Sequence, residues 1–118
     1  MTPDELKAKT KAFALEIIRL VSQLHRTEVA RMIGGRLLRA GAAVGANYRA
    51  ACRVRPGGDF KAKLAIVDEE ADESLYWLEL LADSGIRTGK LLPSLLKEVD
   101  KLVAIFTASR KTVRKLNR

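Results

Sequence analysis

Gly34 to Arg55 reads GGRLLRAGAAVGANYRAACRVR. The order of small, apolar and basic residues in this stretch decides the fold. At 100° per residue, Ile33, Leu37, Val44, Tyr48 and Ala51 share one arc of a helix. Gly41, Gly45 and Cys52 extend that arc. Each glycine costs about 1 kcal/mol of helix propensity relative to alanine. Close approach of a neighbouring helix is the compensation the pattern predicts. Gly41 and Gly45 lie one turn apart, with no side chain to hold a neighbour away. Small residues at this spacing are best known from membrane helices. No apolar run here approaches the ~20 residues a membrane span needs. On the opposite arc Arg31, Arg39, Arg49 and Arg53 fall within about 80° of one another.

Working outward, the segment before this helix opens on Thr2, Pro3 and Glu5. That is an N-cap, a first-turn proline and a capping-box partner. Leu6, Phe13, Ile17, Leu20, Val21 and Leu24 then recur at three- and four-residue steps and form one apolar stripe. Thr27 offers the cap for the glycine-rich helix, and the short connector makes the two helices antiparallel neighbours. After VRPGG (residues 54–58) reverses the chain, a third helix carries Phe60, Leu64, Val67, Ala71, Leu75, Leu78 and Leu81/Ala82. Gly85 is its C-cap. Pro93 opens a fourth helix, whose stripe is Leu95, Val99, Leu102, Val103, Phe106 and Val113. The expected elements are helices at about 3–25, 28–53, 59–84 and 93–115, in an all-α, antiparallel up-down four-helix bundle. One domain over residues 1–118 is the expectation for this length. The 47% hydrophobic share supplies a core, and 5% aromatics with abundant Ala, Leu, Lys, Arg and Glu favour helix.

The third helix has a second stripe, Ala62, Ile66, Trp77 and Leu80, with Glu69, Glu70 and Glu73 among them. A monomeric bundle calls for one buried stripe per helix, so Ile66, Glu69, Glu73, Trp77 and Leu80 are the expected oligomer interface. The charge distribution points the same way. Residues 59–83 hold eight acids and two lysines, a net −6. The remaining 20 basic and 6 acidic residues make +14, and the whole chain is +8. Either the acidic face meets a basic face of a neighbouring subunit, or its acids are simply solvated. The basic excess suits a polyanion partner, although ordinary solubility charge is the plain alternative.

The sequence offers little for catalysis. His25 is the single histidine, so the inward Glu-x-x-His pairs of a carboxylate di-metal bundle are missing. Cys52 and His25 fall near opposite ends of an antiparallel pair, too far apart for a nucleophile and base. Cys52 reads as a packed structural thiol, which fits a reducing cytoplasm, and His25 as a helix-end group. The glycine pairs at 34–35 and 57–58 lack the pattern of a phosphate loop. No secretory leader is expected in MTPDELKAKTKAF. The chain therefore reads as non-enzymatic, with no metal or cofactor. Arg31, Arg39, Arg49 and Arg53, with Arg110, Lys111, Arg114 and Lys115 in the terminal RKTVRKLNR, are the candidate nucleic-acid residues. Their chemistry would be phosphate neutralisation of RNA or DNA. No aromatic platform accompanies them for base stacking. The terminal run is either a frayed basic end or a binding arm. Asn47, at the edge of the apolar arc, should bond across helices, to Ser74 or a carboxylate. Tyr48 should pack in the core with its hydroxyl at the rim.

The run LLRAGAAVGANYRAACRVRPGGDFKAKLAIVDEEADESLYWLELL resembles a bacterial four-helix bundle family. It is the family associated with open reading frames in intervening sequences of large-subunit ribosomal RNA. GANYR (residues 45–49) and YWLELL (residues 76–81) carry the resemblance most specifically. The chain is also similar to the accessory protein of diversity-generating retroelements. The resemblance implies a homo-oligomeric ring, most simply a homopentamer, and brings no catalytic residues. It also implies binding of nucleic acid or a scaffold role for a nucleic-acid enzyme such as a reverse transcriptase. Ala40, Ala43 and Ala50 depart from the serines and glutamate usual in the family, as does a glycine for a serine in the loop before the third helix. An alanine at 50 leaves Arg49 and Arg53 less neutralised.

Overall fold

The structure, a computed structural model, describes residues 1–116. Arg118, part of the expected basic terminus, lies outside the described residues. Four helices follow in order: α1 (Pro3–Gln23), α2 (Glu28–Ala51), α3 (Gly58–Ser84) and α4 (Leu92–Leu116). There is no strand among the described residues. No described helix is long and apolar enough to cross a membrane.

The ends of the helices follow local chemistry. Thr2 Oγ1 accepts from the Glu5 N–H at 3.1 Å, with Pro3 in the first turn. Thr27 Oγ1 accepts from the Ala30 N–H at 3.1 Å. Replacing Thr27 by alanine leaves one of the unpaired donors at the α2 start without that partner. We expect Thr27→Ala to lose about 1 kcal/mol in urea unfolding. Gly85 takes φ +75° to stop α3, a conformation that costs a side-chained residue. Two helices stop short of their expected ends. α1 finishes at Gln23 because Leu24 turns extended (φ −69°, ψ 141°), so His25 belongs to the connector. α2 finishes at Ala51, leaving Cys52 as its half-buried cap and Arg53 in the loop.

α1 packs on α2, α2 on α3 and α3 on α4, with a lighter contact between α1 and α4. One core joins all four, and its largest fully buried members include Phe13, Ile17, Leu37, Leu78, Leu102 and Phe106. Tyr48 lies in this core against Phe106, ring centroids 5.7 Å apart. Burial, with the Cys52 side chain alongside, pushes the Tyr48 hydroxyl up to about 12.

The glycines of α2 meet α1. A Cβ on Gly41 would sit 3.0 Å from Ile17 Cγ1, and one on Gly45 would sit 3.2 Å from Thr10 Oγ1. A Cβ on Gly34 would sit 3.2 Å from Val21 Cγ1. Thr10 is fully buried in the α1 stripe. Its hydroxyl is satisfied by the Leu6 and Lys7 carbonyls at 3.0 and 3.1 Å, so it packs as a small residue opposite a glycine.

Asn47 differs from its expectation. Its Nδ2 donates to the Ala43 carbonyl of its own helix at 2.8 Å, and Ser74 Oγ donates to the Glu70 carbonyl at 2.8 Å. Each polar group is satisfied one turn back, so neither reaches across.

Candidate nucleic-acid interface

The arginines of α2 separate into different roles. Arg39 reaches α3: its Nη2 donates to Glu73 Oε2 at 2.7 Å, and its Nη1 lies 3.3 Å from Glu70 Oε2. Trp77 Nε1 donates to Glu73 Oε1 at 3.3 Å. Burial raises the Glu73 carboxyl, but the Trp77 hydrogen bond and the hydrogen bond and charge of Arg39 outweigh it and hold it below its usual range. Glu70 Oε2 is covered and receives no hydrogen bond among the described residues, so the Arg39 charge is what faces it. This cluster ties α2 to α3 within one chain. Arg39 is thereby matched by two carboxylates, in contrast to its expected place on nucleic acid. Glu73 has Arg39 as a partner inside the chain.

A sign follows for pH. Glu73 titrates lower in the folded chain than in the unfolded one. Its stabilising contribution is therefore complete above the ordinary glutamate value, about 4.3, and is lost as pH falls through its depressed value. We expect wild type to melt above Arg39→Ala at pH 7, with the gap closing below pH about 4. Melting by circular dichroism across that range checks it.

Trp77 and Leu80 are also accounted for within the chain. Both are partly buried and pack against the common core. Tyr76 sits edge-on to Trp77, centroids 5.1 Å apart, and is 56% exposed. Of the expected interface set, Ile66 and Glu69 remain exposed. Arg110 is likewise engaged. Its Nη1 donates to Asp68 Oδ2 at 3.1 Å, beside Thr107 Oγ1 donating to Asp68 Oδ1 at 3.2 Å, which fastens α4 to α3.

A group of the other cations gathers at one pole of the 48 Å long molecule. Lys7 and Lys11 from the start of α1 and Arg49 and Arg53 from the end of α2 line a groove of about 520 Å³ floored by Ala14, Ala42, Gly45 and Ala46. α3 begins after the six connecting residues 52–57, and Lys61 of its first turns shares a second recess with Arg110 and Arg114 of α4. Exposed Arg55 lies in the joining loop, and exposed Lys111, Arg114 and Lys115 lie on the last turns of α4. The acids placed here are Asp4, Glu5 and Asp59 in the first turns of α1 and α3. Lys7 Nζ is 4.0 Å from Asp4 Oδ1, a weak exposed pair. Arg31 stands apart from this pole, with His25 and Arg26 around the other end of the α1–α2 seam. Sequence reasoning left out Lys7, Lys11, Arg55 and Lys61. The signal was there: the chain places a lysine or arginine near the appropriate end of every helix.

Residues 5–108 match the family model described as 23S rRNA-intervening sequence protein. The chain belongs to that family. A solved structure is similar over nearly its whole length: a crystal structure at 1.70 Å of a protein of unknown function from the S23 ribosomal protein family, from Bacteroides thetaiotaomicron VPI-5482. It is 30% identical, with a TM-score of 0.83, over 94% of this chain and 99% of that one. No curated protein matches the chain. The match to the 23S rRNA-intervening sequence protein family spans α1, α2 and α3 but stops within α4. Lys111, Arg114 and Lys115 of the basic pole thus lie beyond the matched segment, whereas Lys7, Lys11, Arg49 and Arg53 lie within it. No cluster of three or more His, Cys, Asp or Glu side chains suited to a metal ion occurs among the described residues of this family member.

Proposed function

We propose that this chain is a non-enzymatic, self-associating helical bundle that holds RNA or DNA through phosphate contacts at its basic pole. One observation carries the reading. Cations from both ends of the chain and from the α2–α3 turn converge there, with few acids to match them. Lysine and arginine in such an array displace condensed counterions from a nucleic acid, a term that is independent of sequence. The helices are taken to run up and down, each antiparallel to the next, on the registers Thr10 to Gly45, Ile17 to Gly41 and Val21 to Gly34. A ring of copies, most simply five as the family resemblance implies, would present several poles to one polyanion and raise affinity by avidity.

The test is the salt dependence of RNA and DNA binding. Affinity should fall linearly on a log–log plot, and Arg53→Ala with Arg114→Ala should flatten the slope by roughly 1.4–1.8. Arg39→Ala should leave the slope unchanged, because two carboxylates already match that charge. A wild-type chain with no detectable binding at low salt would end this reading. A scaffold role for a nucleic-acid enzyme such as a reverse transcriptase would then take its place.

A further inference from the structure

We infer that the groove between α1 and α2 receives the outer face of α3 from a second copy of this chain. This rests on the self-association in the reading above but not on nucleic-acid binding, and it gives Lys11 and Arg49 to the subunit contact while Arg53, Arg55, Lys61, Lys111, Arg114 and Lys115 stay open to phosphate.

Two rows face each other across the α1–α2 seam. On α1, Lys7, Lys11, Ala14, Ile18 and Val21 alternate steps of four and three residues, and His25 follows in the connector. On α2, Arg31, Gly35, Leu38, Ala42 and Arg49 run the opposite way, by the contacts of Val21 on Gly34 and Ile17 on Gly41. The ends of the paired rows are basic: Lys11 and Arg49 at one, Arg31 beside His25 and Arg26 at the other. Their middle is apolar or small. Ile18 is 46% exposed and Leu38 37%, and Ala14 and Ala42 lie next to them. A four–three spacing on both walls is the spacing of a helix seat, because it offers holes to the knobs of a third helix.

The outer face of α3 has the complementary order. Ala62, Ala65, Glu69, Asp72, Tyr76, Glu79 and Asp83 follow the same alternation of four and three. Tyr76 stands in the middle, with two acids on either side, and all five side chains are exposed. From Glu69 to Asp83 is about 21 Å along α3, and from Lys11 to the end of α1 at Gln23 is about 18 Å, with His25 just beyond. The order is acid, aromatic, acid against cation, aliphatic, cation. Neither the four acids nor Lys11, Arg31 and Arg49 make an ion pair among the described residues. A tyrosine over Ile18 and Leu38, with ion pairs at both ends, is the arrangement of an anchored interface with a polar rim. Stripe and groove are different surfaces, so each copy can give one and accept one. Such head-to-tail contacts close into a ring when the rotation between copies closes.

The experiment uses the full chain, with assembly read by sedimentation velocity and native mass spectrometry. Glu69→Lys with Glu79→Lys removes the stripe. Lys11→Glu with Arg49→Glu removes the groove. Each pair should weaken self-association by roughly 30-fold or more, with helical content by circular dichroism unchanged. An equimolar mixture of the two should reassemble, since the intact stripe of one variant meets the intact groove of the other and the two reversed surfaces are again of opposite charge. Tyr76→Asp, which keeps the sign of the stripe, should also dissociate the assembly and covers the case in which a charge reversal fails to fold. The inference is overturned if wild type runs as a monomer at tens of micromolar. It is equally overturned if folded stripe variants stay assembled, or if the two variants do not recombine. Nucleic-acid binding by a monomeric wild type would overturn this inference and leave the basic pole standing. An assembled wild type with no binding would do the reverse.

Discussion

Gly41→Leu should destabilise the chain by about 3 kcal/mol and loosen α1 from the remaining helices. The Cβ alone would reach to 3.0 Å of Ile17 Cγ1 and 3.4 Å of Ile17 Cβ. A leucine adds three more carbons in that direction. Ile17 is fully buried and cannot swing aside without disturbing its neighbours in the common core. The gain in helix propensity is only about 1 kcal/mol and does not offset the overlap. Two companions isolate the cause. Gly35 has nothing within 4 Å of its would-be Cβ, so Gly35→Ala should stabilise by about 0.5–1 kcal/mol. Ile17→Ala in the Gly41→Leu background should recover part of the loss, and a double-mutant cycle in urea gives the coupling. If Gly41→Leu unfolds at the wild-type midpoint, the close approach of α1 and α2 is not what these glycines are for.

That approach was legible in the sequence, because a glycine in the buried arc of a helix requires an explanation. Which helix approaches was less legible. The arc of α2 faces α1 on one side and α3 on the other, and Gly34, Gly41 and Gly45 fall on the α1 side only once the neighbours are placed. Thr10 was hidden because a polar residue interrupts an apolar stripe, although its hydroxyl is satisfied one turn back. The second stripe of α3 was read as a surface for a partner. Trp77 and Leu80 of that stripe turn inward because α3 packs on both α2 and α4, while Ala62, Ile66 and Glu69 stay exposed. A helix with two large neighbours buries a wider arc than one stripe, and Trp77 and Leu80 fall within it. Arg39 illustrates a related limit. It shares an arc with Arg49 and Arg53, but it lies at the height of Glu70 and Glu73, and height depends on register between helices. The basic pole also depends on register. Lys7, Arg53, Lys61 and Arg114 are remote in sequence, and only the path of the chain brings them to one end.

Phe106→Ala should be the most damaging truncation in α4, at about 3–5 kcal/mol. Phe106 is fully buried, and its ring lies against Tyr48 of α2 at a 50° tilt. Losing it removes a large apolar side chain from the core and one half of an aromatic pair that joins nonadjacent elements of the chain. The gap cannot close easily. Thr107 and Arg110 hold α4 to Asp68, so the helix is fastened immediately after the missing ring. Against a total stability of about 5–15 kcal/mol for a domain, this is a large fraction. A drop in Tm of roughly 12–20 °C is expected. Tyr48→Phe is the matching control, since it keeps the ring and removes only the hydroxyl. Its effect should be about 1 kcal/mol or less if the pair acts through packing. A loss for Tyr48→Phe as great as for Phe106→Ala would instead assign the stability of this region to the hydroxyl beside Cys52. Because α4 also carries Lys111, Arg114 and Lys115, the proposed nucleic-acid binding requires that Phe106→Ala near its melting point lose affinity together with helix. At 10 °C, where the bundle is still folded, the salt slope should match wild type.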